Sequence, residues 1–95
     1  MIEKPLLHDL DLMMMFKIER KGRPAYTFLF TASPDKTFLG KTQEDLWEMF
    51  EDLCLDVEIG EGTARFFFSE ETPIADMFIF REKINKLTLN VLLEK

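Results

Sequence analysis

The residue pattern predicts an α+β fold: a mostly antiparallel sheet of five or six strands, with one main amphipathic helix at about residues 42–54 packed on one face. Three observations carry this prediction. One stretch alone has unambiguous helical apolar spacing, several short runs alternate with period two, and Gly- or Pro-containing turns separate them. A chain of 95 residues holds a single core, so residues 1–95 read as one domain. With 46% hydrophobic residues, including ten Phe and six Met, the chain is too apolar to stay disordered.

Residues 1–9 read as irregular. From 10 to 19, Leu10, Leu12, Met14, Phe16 and Ile18 alternate with Asp11, Met13, Met15, Lys17 and Glu19, the signature of a strand with one buried face. The residues Arg20, Lys21, Gly22, Arg23 and Pro24 make a turn. A second strand follows at 25–31, with Tyr26, Phe28 and Phe30 on one side and Thr27, Leu29 and Thr31 on the other, so the pair forms an antiparallel hairpin. Ser33-Pro34-Asp35-Lys36 is a turn signal, and 37–39 reads as a short strand.

The helix comes next. Leu46, Met49, Phe50, Leu53, Cys54 and Val57 fall on one stripe, while Glu44, Asp45, Glu48, Glu51 and Asp52 take the other side. Thr42 is an N-cap with Asp45 three residues on as a short-armed capping box, and the early acids suit the positive end of the helix dipole. A hairpin of strands 55–59 and 63–69 then folds around Gly60-Glu61-Gly62, with Ala64, Phe66 and Phe68 on one face and Phe67 on the other. The last quarter admits two readings. Thr72-Pro73 suits an N-cap and first helical residue, whereas Met77-Phe78-Ile79-Phe80 reads as a strand. Alternation favours strands at 76–81 and 86–93 with a turn at 82–85.

A three-turn helix covers only part of such a sheet. Met13, Met15, Leu29 and Phe67 fall on its second face, and each large apolar side chain left in water forgoes ~1.5–3 kcal/mol of burial. The sheet face is therefore a candidate protein-binding surface. The charge pattern marks another. Residues 42–64 hold eight acids and no Lys or Arg, in a chain whose formal net charge is −6. Glu44, Glu48, Glu51 and Asp52, with Trp47 beside the apolar stripe, form an acidic helix face able to meet a basic partner. A third surface is the basic hairpin Lys17, Arg20, Lys21 and Arg23, which suits phosphate contacts, with overall acidity against it.

Little points to catalysis. One His and one Cys cannot supply a zinc site, the acids lack the spacing of a calcium loop, and no phosphate-binding loop or nucleophile elbow is present. Cys54 lies on the apolar stripe as a buried structural thiol, and His8 reads as a surface residue. No enzyme activity, cofactor or metal is expected. The N-terminus does not read as a signal peptide, no apolar run reaches the ~18 residues that suggest a membrane span, and a lone Cys fits a reducing cytoplasm.

Tyr26-Thr27-Phe28-Leu29-Phe30, then Pro34, then the run Phe38-Leu39-Gly40-Lys41-Thr42-Gln43-Glu44-Asp45-Leu46 resembles the strand, loop and capped helix of HicB-type antitoxins. The resemblance covers fewer than a third of the residues, and residues 31–36 depart from that family's loop. It implies a toxin-binding protein. The expected function is thus a small acidic, non-enzymatic protein-binding domain, an inhibitor or adaptor of the anti-defence or antitoxin kind. The alternatives are a nucleic-acid-binding protein using the hairpin 17–23, and a structural homodimer.

Overall fold

The computed structural model describes residues 14–60 and 62–93. The expectations for residues 1–13, including an irregular lead-in, the first half of the first strand and a role for Met13, lie outside the described residues. Strands β1 (Met14–Arg20) and β2 (Arg23–Thr31) form the first hairpin. Its two-residue turn puts both Lys21 (φ 55°) and Gly22 (φ 79°) in the left-handed region, which matches the strand twist and is cheap for Gly. Pro24 sits one position before the β2–β4 ladder begins at Ala25 with Ser69, so its missing N–H leaves no gap there.

After β2 the chain turns back through Leu39 (φ 55°) and Gly40 (φ 78°), closed by a Phe38–Lys41 bridge. The short strand expected at 37–39 is therefore only the arm of this tight turn. Helix α1 (Gln43–Phe50) starts where expected. The Asp45 amide donates to Thr42 Oγ1, and the Thr42 amide donates to Asp45 Oδ2, both at 3.2 Å, a reciprocal capping box. It stops at Phe50 instead of running to 54. No basic residue occupies its last turn, Glu51 and Asp52 crowd the negative end of its dipole, and the Leu55 amide is already donated to the Phe67 carbonyl at 2.7 Å.

Strands β3 (Asp56–Gly60) and β4 (Thr63–Ser69) complete an antiparallel sheet of order β1-β2-β4-β3. Among the described residues there are four strands, not five or six. The segment read as two further strands is one helix, α2 (Ile74–Leu93). Its start follows the Thr72-Pro73 signal, with the Pro73 carbonyl accepting the amides of Asp76 and Met77. Local alternation in 77–80 loses to helical spacing: Phe80 and Ile84 are buried, with Met77 and Leu87 packed beside them, while Phe78 and Ile79 face away.

Both helices lie on the same face of the sheet. Phe80, 0% exposed, is the hub of the core, its ring centroid 4.9–5.2 Å from those of Phe66, Phe68, Phe50 and Phe28. Tilted and edge-on rings at these spacings add favourable quadrupole contacts to the burial itself. The sheet that one helix was to cover partly is covered by two.

Candidate interaction surface

The rotation of α1 is set by Leu46 and Phe50, both fully buried, and by Gln43, whose Oε1 accepts the Ile59 amide at 2.8 Å. Glu44, Glu48, Glu51 and Asp52 are consequently all exposed, and Trp47 is half in water at 37%. None of these four acids forms an ion pair among the described residues. The structure thus brings the predicted acidic face together on one helix and its C-terminal turn. Met49, assigned to the apolar stripe from its spacing, is instead exposed. Cys54 is buried, its thiol donating to the Phe50 carbonyl at 3.3 Å, and desolvation pushes its pKa from 9.0 up to about 11, which makes it a poor nucleophile near neutral pH.

The sheet-face set does not assemble as expected. Register pairs Met15 with Phe28 and Met14 with Leu29, so Met15 lies on the helix-bearing face while Leu29 and Phe67 lie on the opposite one. A one-residue offset between strands exchanges the faces of every side chain. Met15 is exposed, Leu29 half-buried, and Phe67 only 2% exposed. The cover on Phe67 includes Arg20, whose guanidinium lies 3.8 Å from the ring centroid. From the edge strand β1, Arg20 reaches across β2 and β4 to the opposite edge strand β3, donating to Asp56 Oδ2 at 2.6 Å and Glu58 Oε2 at 2.9 Å. The Glu58 hydrogen bond outweighs partial desolvation and raises the pKa of this arginine. On that face β2 carries the small residues Ala25 and Thr27, both buried, which lets a long side chain pass over it.

The basic hairpin is therefore not a free patch. Arg20 is committed to two carboxylates, and Lys17 lies 3.3 Å from Glu70. Lys21 and Arg23 open onto a cleft of about 610 Å³, whose other walls include Asp56, Glu70, Glu71 and Leu55. Its charge is mixed, unlike the single-sign groove that follows a phosphate backbone.

The surface that sequence reasoning missed is the outer side of α2. Phe78 is 50% exposed, Leu89 54% and Leu92 61%, and Ile79 and Leu93 are exposed next to them. Arg81 curls over Phe78, its guanidinium carbon 5.0 Å from the ring centroid. The outer side of this helix thus carries large apolar residues toward both ends, with Glu82, Lys83, Asn85 and Lys86 exposed between them, where α1 has one apolar and one acidic side. The signal was present as the Thr72-Pro73 start combined with i, i+3, i+7 spacing, and it was masked by the local alternation of Met77-Phe78-Ile79-Phe80.

Among the described residues there is no cluster of three or more His, Cys, Asp or Glu side chains able to hold a metal ion, and no helix is long and apolar enough to cross a membrane. The chain matches no known family model, no characterised protein and no solved structure, so the HicB-type resemblance assigns no family.

Proposed function

We propose that this protein is a non-enzymatic protein-binding domain, an adaptor or inhibitor that works by occupying another protein's surface through its helix layer. The observation that supports this reading is the large apolar residues left in water on the outer side of α2, Phe78 and Ile79 toward one end and Leu89, Leu92 and Leu93 toward the other, together with an α1 that carries exposed acids and Trp47 on the same side of the sheet. Soluble domains seldom leave such a patch uncovered unless it is used. Aromatic anchors with charged neighbours are also the usual make-up of an interface. The antitoxin-like version of the proposal adds that α1's acids meet a basic partner.

The other readings have less support. A contact through the sheet's second face needs Met15, Leu29 and Phe67 together, and register and Arg20 stand against that. Nucleic-acid binding needs the hairpin cations free, and two of the four are held by carboxylates.

The test is capture from the native host by the tagged chain, compared with two variants. One reverses charge on the acidic face (Glu44→Lys, Glu48→Lys, Glu51→Lys); the other makes the α2 face polar (Phe78→Ser, Leu89→Ser). Loss of a specific captured protein with either variant is the expected result. A captured set indifferent to both overturns the proposal.

A further inference from the structure

We infer that the outer stripe of α2 is built to meet a second copy of this chain, as an antiparallel helix pair around a twofold axis at the middle of the helix. This rests on the helix-layer reading above and names the occupant of one part of it. With Met77, Phe80, Ile84 and Leu87 turned to the core, Ala75, Phe78, Glu82, Asn85, Leu89 and Leu92 fall at i, i+3, i+7, i+10, i+14 and i+17. That is the a/d spacing of a coiled-coil seam, running along the side of the helix opposite its own core.

The order of residues along this stripe is what selects a second copy over a foreign helix. Pairing two α2 helices antiparallel about their shared midpoint sets Ala75 against Leu92, Phe78 against Leu89 and Glu82 against Asn85 of the other copy. Small faces large, apolar faces apolar, and the two polar residues pair with each other in the two central layers. Ile74 and Leu93 then meet at the ends, so the helices overlap along their whole length of about 30 Å. Charge agrees with this arrangement, because Arg81 and Lys86 of the second copy flank the layer that receives Glu82. A parallel pairing would stack Glu82 on Glu82 and lose all of this.

The apolar surface that pairing would cover is that of Phe78, Leu89 and Leu92 on the stripe, with Ile74 and Leu93 at its ends, all at least half exposed in the single chain. Two symmetry-related polar layers in the middle of the seam weaken the pair but fix register and orientation. A modest, concentration-dependent dimer is the predicted state.

Sedimentation equilibrium of the full chain across a concentration series reads this directly. The wild type is expected to be a reversible dimer, and Phe78→Ser with Leu89→Ser to weaken it roughly 10⁴-fold, about tenfold for each of the four side chains the dimer loses, at an unchanged thermal midpoint of the monomer. Glu82→Leu, which replaces one polar residue of each central layer, is expected to tighten association at least tenfold. Orientation is read by mixing Phe78→Cys and Leu89→Cys chains in a Cys54→Ala background. Antiparallel pairing gives the mixed disulfide, and a product dominated by like-with-like disulfides overturns it. A monomer at all concentrations, or a dimer indifferent to the Phe78/Leu89 pair, overturns the inference. The charge-reversal variant of the acidic α1 face decides the broader protein-binding proposal separately, because it leaves the α2 stripe unchanged.

Discussion

The two helices lie on one sheet face and reach the same aromatic core, yet they are written differently. Helix α1 is short, capped on both partners of a reciprocal box, and divided cleanly into a buried pair and an acidic outside. Helix α2 is 20 residues long, weakly amphipathic, and shows large apolar residues to water toward both ends as well as on the side it buries. A helix with one apolar stripe has one neighbour to satisfy, its own sheet. A helix with two stripes has satisfied only one of them inside the monomer. The difference separates a helix whose exposed side is mostly acidic from one that leaves large apolar side chains in water.

The comparison is broken most severely at the core end of α2. Phe80→Ala removes the ring that four others surround and is expected to cost about 3–5 kcal/mol, read as a shift in the urea midpoint at unchanged slope. A loss under 1 kcal/mol would mean that α2 is only loosely docked and that the core belongs to α1 and the sheet.

An intermediate effect distinguishes the α1 side by pH. Cys54 is the titrating group in a core that is otherwise hydrocarbon around α2, and its folded pKa is raised. A raised pKa means the folded state holds the proton more tightly, so its contribution is complete below pH 9 and is lost as pH rises through about 11. Stability should therefore fall more steeply between pH 9 and 11 in the wild type than in Cys54→Ala. Parallel curves for the two proteins would remove the thiol from the account.

The smallest effect sharpens the comparison at a helix start. Thr42→Ala deletes one half of the capping box and is expected to cost about 1 kcal/mol, mostly by fraying α1. Hydrogen exchange should show the loss of protection at the first turn of α1 and none in α2.

Much of the fold was legible from residues alone, and the reasons differ by element. The α1 cap was visible because Thr42 and Asp45 act within one turn and need nothing distant. Both hairpins were visible because alternation and the Lys21-Gly22 and Gly62 turns are local. The α2 assignment failed where two local signals conflicted, and what decided it was the aromatic hub that only Phe80 on a helix completes. The sheet-face site failed for another reason: each strand's own two-sidedness was read correctly for β2 and β4, but the relative face of β1 depends on register.

The sequence by itself determined the class, the start of α1, the two hairpins, the acidity of residues 42–64 and the burial of Cys54. Each of these follows from spacing within a few residues, where sterics, hydrogen bonding and charge act at short range. Tertiary structure decided that α2 is a helix, that Arg20 is strapped over Phe67 to two acids on the far edge strand, and that Met15 and Phe67 part to opposite faces. Those outcomes depend on which distant elements meet and in what register, and burial free energy summed over the whole core outweighs any local preference of the residues involved.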